Sequence, residues 1–239
     1  MSCHFLGGPV PWPPVSTPLT TAPRPEPEPP PRPRRTQSER RATTRRALLE
    51  ATSACLVEHG YAGTSTTLIC QHAGVSQGAL FKHFPTKAQL LGATAEHQYD
   101  QLTEHFLVRF DRLGHASGPG ASPGDRVGQA VGLLWEVFQS DQFAASLELE
   151  VAARTDPTLQ ALLGPVLTRH ARRVRRLAVA LFPDNAGQER YDRTIDLVLE
   201  VMVGMAISRI ADPDPVHYRL LLAHVTDLAR DAFTPGGTR

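Results

Sequence analysis

The 239-residue sequence predicts an all-α protein of about nine helices. Three observations carry that expectation. Apolar residues recur at i, i+3, i+4 and i+7 in one window after another, the spacing of a helix face. Segment after segment opens on Ser, Thr or Asp and closes near Gly or Pro, which cap and stop helices. No stretch alternates apolar and polar residues as a half-buried strand does, and no internal repeat occurs.

Residues 1–35 carry prolines at 9, 11, 13, 14, 18, 23, 25, 27, 29, 30, 31 and 33. Each lacks an N–H and biases its predecessor toward extended backbone, so a disordered Pro/Arg-rich tail of polyproline-II character is expected. A solvated extension is the favoured reading over a ligand for an SH3-like partner. Order is expected from Thr36, where Thr36-Gln-Ser-Glu39 fits a capping box. Leu48, Ala51, Thr52 and Cys55 mark one face of a first helix, which Gly60 ends.

Two short helices follow between Thr64 and Phe84. Leu68, Ile69 and Ala73 form an apolar face, and Gly74 can take the left-handed backbone that ends a helix without a Cβ penalty. Ser76 is placed to cap the next helix, whose first turn holds Gln77, Gly78 and Ala79. A helix presenting polar and tiny residues at its N-terminal end suits insertion into the DNA major groove, so residues 36–85 are read as a helix-turn-helix DNA-binding domain.

After Phe84-Pro85, Thr86 and Gln89 start a fourth helix that continues to about Leu113. A Gly/Ser/Pro loop from Gly114 to Gly124 is expected to be mobile. Helices are expected from about Asp125 to Ser140, Gln142 to Arg154, and Asp156-Pro157 to Phe182, the last kinked at Gly164-Pro165. Asn185 to Gly187 reads as a turn. Residues 189–210 are apolar nearly all round, so the helix is either central or covered on its second face by another subunit. A last helix, within 215–233, carries Leu221, Leu222, Val225, Leu228, Ala229 and Phe233, and residues 234–239 form a flexible end. Residues 86–233 are thus expected to form a helical ligand-binding and dimerisation domain.

The net charge of +1 hides an asymmetry. Between residues 24 and 46 lie eight arginines (24, 32, 34, 35, 40, 41, 45, 46) against Glu26, Glu28 and Glu39. A basic end on a near-neutral chain is what localised contact with a polyanion requires. The only lysines, Lys82 and Lys87, flank the end of the second short helix. Cys3, Cys55 and Cys70 lack metal-ligand spacing and read as thiols of a reducing compartment. No apolar run approaches the roughly 18 residues that span a bilayer, and no secretory signal is evident, so a cytoplasmic location without membrane contact is expected.

From Arg46 to Leu91 the chain resembles the amino-terminal domain of the tetracycline-repressor (TetR) family of transcriptional regulators. The residues that carry the resemblance are Leu48-Leu49 with Ala51, Gly60-Tyr61, Thr64-Ser65, Ile69, Ala73-Gly74-Val75-Ser76, Gly78, His83-Phe84, Lys87 and Leu90. It departs at Phe81, where tyrosine is usual and a phosphate contact is therefore lost, and at Cys70, where alanine is usual. The resemblance and the chemistry together place Gln77, Gly78 and Ala79 at base edges, Gln77 as the hydrogen-bonding reader. Ser65, Thr66, Thr67, Ser76, Lys82, His83 and Lys87 would hold phosphates, with Arg45 and Arg46 adding contacts and Arg34 or Arg35 reaching a minor groove. Phe81 and Phe84 are read as core residues.

The carboxy-terminal half has no Gly-rich phosphate loop, metal-ligand spacing or nucleophile motif, so no enzymatic activity, cofactor or metal is expected. His97, His105, His170, His217 and His224 are scattered. Glu148, Glu150, Arg154 and Asp156 read as a solvated face, with an inward Glu148 or Arg154 orienting a ligand as the alternative. The resemblance implies a pocket among helices four to seven, with Trp135, Phe138, Phe143, Leu147 and Val151 as its wall. The resulting expectation is a homodimer, paired through residues 189–210 and 215–233, that represses from a palindromic double-stranded operator until a small-molecule effector releases it. An activator or ligand-independent regulator, or an all-helical protein-interaction module, are the alternatives.

Overall fold

The computed structural model describes residues 36–116, 122–183 and 187–233. Among these it has nine helices and no strand: α1 (Gln37–Gly63), α2 (Thr66–Ala73), α3 (Gln77–His83), α4 (Lys87–Ala116), α5 (Pro123–Phe138), α6 (Asp141–Ala153), α7 (Pro157–Leu181), α8 (Glu189–Ala211) and α9 (Pro215–Phe233). The tail 1–35, the end 234–239, and parts of the expected loop and turn at 117–121 and 184–186 lie outside the described residues.

Helix starts follow the caps. The side chains of Ser65, Ser76, Ser122, Ser140 and Asp156 each accept from a backbone N–H of the first turn that follows. At Ser122 the box is reciprocal with Asp125, so α5 opens at Pro123, two residues before the expected start. One expectation is corrected. Gly60 interrupts α1 and does not end it: at φ 66°, ψ 179° it breaks the helix, which then makes one more turn to Gly63. Helix α7 continues past Pro165 to Leu181. The carbonyl left without its proline N–H belongs to Ala161, which is exposed, so water can replace the bond.

Three main cores are stacked along the bundle. Leu48, Leu49, Cys55, Ile69, Leu80, Phe84 and Leu90 close α1–α3 against the start of α4. Leu56, Leu91, Tyr99, Phe143, Leu149, Leu159 and Leu163 join α1, α4, α6 and α7. Val127, Trp135, Tyr191, Met202, Tyr218 and Phe233 join α5, α8 and α9. Helix α4 feeds the first two cores through the adjacent residues Leu90 and Leu91, so no linker separates the helix-turn-helix from the rest.

Helix α6 grips that junction through polar contacts as well. The fully buried Gln98 of α4 donates from Nε2 to Ser53 Oγ of α1 at 2.9 Å. Its Oε1 accepts from Ser146 Oγ of α6 at 3.1 Å. Two residues further along α6, Glu148 Oε2 accepts from the Tyr61 N–H at 2.6 Å, at the start of the extra turn that follows Gly60.

Candidate nucleic-acid interface and ligand cavity

The α2–α3 turn is built by Gly74, whose left-handed backbone (φ 64°, ψ 33°) ends α2 while neighbouring N–H groups return to Cys70 and Gln71 carbonyls. Ser76 then starts α3 by accepting from Ala79 N–H at 3.2 Å. Leu80 and Phe84, one turn apart, point into the core. Gln77 and Gly78 are left exposed at the tip and Ala79 half-buried. Gln77 Nε2 donates to Thr67 Oγ1 of α2 at 2.9 Å, which holds the reading side chain across the motif before anything binds.

The remaining anticipated contacts are distributed unevenly. Ser65 caps α2, accepting from Leu68 N–H at 3.2 Å, so both capping serines keep only a hydroxyl proton for a phosphate. Thr66 is half-buried; Thr67, Lys82, Arg45 and Arg46 are exposed. Arg46 lies 3.7 Å from Glu50, one turn along α1, which offsets part of its charge. The Arg45 guanidinium sits over the Phe84 ring at 5.2 Å and Lys87 Nζ over Tyr61 at 5.3 Å, so both cations are positioned by aromatic faces. His83 is pushed down from its ordinary value by burial first, then by Arg41, Lys82 and Arg45, and stays a neutral imidazole near pH 7. Arg41 therefore belongs to the same basic cluster. It stands one helical turn before Arg45, a spacing readable in the sequence but passed over there. Arg34 and Arg35 lie outside the described residues.

Phe81 corrects its expectation. It is 43 % exposed because it follows inward-facing Leu80 by a single position, about 100° around the helix. An aromatic ring thus stands on the outer face of α3 beside Lys82. Glu58, His59 and His72, all exposed, bring possible ligand atoms within 4.8 Å of one another between α1 and α2; none of the five scattered histidines takes part.

Between α4, α5, α7 and α8 lies a cavity of about 130 Å³. Phe138 and Phe143 line it, as does Phe106 of α4. Trp135, Leu147 and Val151 lie outside its wall. Trp135 is one step further around α5 and stacks on Tyr218 of α9 at 6.0 Å. Helix α6 turns Phe143, Ser146, Leu149 and Ala153 inward, so the 147/151 row faces away and Val151 is 62 % exposed.

Tyr99, Thr103 and His170 are the hydrogen-bonding side chains of the wall. Thr103 Oγ1 donates to the Tyr99 carbonyl at 2.7 Å, and the Tyr99 hydroxyl donates to Glu150 of α6. Burial, with the Glu150 charge behind it, drives the Tyr99 phenol far above its ordinary range, so it remains a donor. His170 is lowered mainly by burial and stacks on Tyr99 at 4.4 Å.

Glu150 itself is raised above 4.5, by burial first and by Glu200, against the Tyr99 hydrogen bond. A carboxyl raised on folding contributes stability that is complete below its ordinary value and is lost as pH rises through the folded value. Glu150→Gln keeps an acceptor for Tyr99 and removes the titration. Its stability relative to the parent is expected to improve as pH rises above the ordinary carboxylate range, as read by paired urea melts. A difference independent of pH would contradict this account.

Residues 48–94 match the family described as "Bacterial regulatory proteins, tetR family". An uncharacterized HTH-type transcriptional regulator of Mycobacterium tuberculosis is 33 % identical over 184 residues, covering 76 % of this chain and 90 % of its own. The HTH-type transcriptional regulator CymR of Pseudomonas putida is 30 % identical over 200 residues, covering 83 % and 95 %. AcnR of Corynebacterium glutamicum, an HTH-type transcriptional repressor, is 27 % identical over 183 residues, covering 70 % and 82 %. Among solved structures, a TetR-family regulator from Rhodococcus superposes with a TM-score of 0.61 at 17 % identity, covering 81 % of this chain and all of that one. At that identity the likeness concerns the fold alone.

Proposed function

The chain belongs to the tetR family of bacterial regulatory proteins and is a DNA-binding transcriptional regulator, and from that premise we propose that it acts as a homodimeric repressor, released from a palindromic operator by a small-molecule effector. The relative AcnR is a transcriptional repressor. The observation that best supports ligand release is the continuity of α6. One helix contacts the cavity wall through Glu150 and Tyr99, and α1 of the DNA-binding domain through Ser146, Gln98, Ser53 and the Glu148–Tyr61 bond. An effector can shift the DNA-binding equilibrium only by its differential affinity for the two arrangements, and such a helix is where that difference would be felt.

The protein then works by binding rather than catalysis, in the cytoplasm, where its operator lies. No helix among the described residues is long and apolar enough to cross a membrane. Dimerisation would use residues 189–210 and 215–233, whose outer faces expose Leu197, Ile207, Ile210, Leu220 and Leu228.

Selection of genomic fragments by the purified chain tests operator binding, and the recovered sites are expected to be palindromic. On such a site Lys87→Ala should weaken all sequences alike and lower the salt slope by about one unit, having removed a phosphate contact. Gln77→Ala should cost about 1–3 kcal/mol at particular base pairs only. Equal, sequence-independent losses from both would overturn these assignments, and recovery of no common site would count against the operator reading.

A further inference from the structure

Helices α1 and α2 bring two histidines and a carboxylate together. Glu58 and His59 stand on α1, and His72 on α2. One ligand atom from each lies within 4.8 Å of the other two, and no other such group of three occurs among the described residues. His59 Nε2 is 3.7 Å from Glu58 Oε1. The two imidazole rings meet edge to face, with centroids 6.2 Å apart.

Glu58 and His59 alone would be an ordinary surface pair of little energetic weight. His72 changes that reading, because it arrives from another helix and adds a second imidazole to the same space. Two histidines and one carboxylate are a set that holds zinc with a fourth position open to water. Donor atoms around a tetrahedral zinc stand about 3.4 Å apart, at bond lengths of about 2.1 Å. The three side chains therefore need to close by at most about 1.5 Å. All three are exposed, so rotamer changes can supply that movement.

The backbone also favours a cation there. Glu58 and His59 occupy the last regular turn of α1 before the break at Gly60. His72 occupies the last turn of α2, ahead of its Gly74 cap. Both are C-terminal helix turns, whose carbonyls carry partial negative charge. The arginines near His83 do not oppose it: from Arg45 to Glu58, α1 advances about 20 Å.

We propose that Glu58, His59 and His72 form a zinc site that pins α2 to α1. Imidazole nitrogens suit zinc, whereas magnesium takes oxygen ligands. Thr67, which holds the Gln77 side chain, belongs to the same short α2. An ion that fixes α2 therefore fixes the support of the reading residue.

Calorimetric titration of the full chain with zinc chloride, beside magnesium chloride, tests this. One zinc per chain is expected to bind with a Kd of about 10 µM or tighter, and magnesium is not expected to bind. His59→Ala and His72→Ala should each weaken zinc by at least about tenfold with helical circular dichroism retained. Glu58→Gln should weaken it too, and carries the comparison if a histidine variant fails to fold. His115→Ala is the control: that histidine also stands 3.6 Å from a carboxylate, Asp111, but has no third ligand, so zinc binding should match the parent's. Zinc at about a hundredfold its Kd should raise the parent's melting point by roughly 5–10 °C and leave the two histidine variants nearly unmoved. A Kd weaker than about 100 µM, or equal affinity in the parent and both histidine variants, would mean an adventitious ion only and overturn the site. Binding without any rise in melting point would overturn the pinning of α2. Neither measurement involves DNA, so both outcomes are independent of the operator reading.

Discussion

Gly60→Ala is expected to cost about 2.5–6 kcal/mol of folding stability, among the largest effects of any single methyl group in this chain. Two penalties coincide there. At φ 66°, ψ 179° the backbone lies in a region essentially reserved for glycine, where a side chain costs about 1–3 kcal/mol. The new Cβ would also lie 2.8 Å from Glu148 Oε2, the oxygen that accepts from Tyr61 N–H. The carboxylate must withdraw, and losing a charge-assisted hydrogen bond at the start of a helical turn adds about 1.5–3 kcal/mol. For a chain of this length the sum corresponds to a melting point lower by roughly 5–25 °C. Gly74→Ala is the internal control. Its φ of 64° is also left-handed, but nothing lies within 4 Å of the added Cβ. It should cost only about 1 kcal/mol, the backbone part alone. Should the two glycines prove equally sensitive in urea melts, Glu148 does not hold the break in α1, and the α6 route from cavity to DNA loses its main polar contact.

That contact was the least legible feature of the sequence. Glu148 read as part of a solvated face because its neighbours are charged, and its partner is a backbone N–H 87 positions away. No periodicity encodes such a pairing. Helix boundaries were legible for the opposite reason: a cap acts within three or four residues of itself, so Ser76 and Asp156 could be recognised locally. The same limit explains the cavity. Phe143, Leu147 and Val151 are evenly spaced by four, yet the helix advances 3.6 residues per turn, and only packing decides which of two adjacent rows turns inward. Serine at 146 made the true inward row look polar; the buried Gln98 that satisfies it comes from α4. Phe81 and Phe84 show the point on one short helix. Both are aromatic, and three positions of rotation put one in the core and leave the other on the surface.

Placing a glutamate at both Ile210 and Leu220 is expected to abolish dimerisation, and with it most of the affinity for a full operator. The two residues are 74 % and 68 % exposed, so each leaves most of a large apolar side chain in water. They continue outer faces on which Leu197 and Ile207 of α8 and Leu221 and Leu228 of α9 are also uncovered. The opposite face of α8 is already filled by Tyr191, Ile195, Val198, Met202 and Met205, so it is the second apolar face that the proposed dimer would cover. Pairing with a symmetry-related copy would bury both faces, and would set two α3 helices against successive major grooves. Four buried carboxylates per dimer would make that association prohibitive, whereas each substituted side chain in the monomer simply meets water. Linking two half-site contacts in one particle raises affinity by about 10²–10⁴ over one contact, and that factor is what the variant forfeits. Sedimentation should therefore find the variant monomeric with its helical circular dichroism retained at room temperature. Its binding to a full operator should fall to its binding to an isolated half-site, which itself should match the parent's half-site affinity. A variant that stays dimeric and retains full-operator affinity would move the interface away from α8 and α9, and with it the spacing at which two copies of Gln77 could meet DNA.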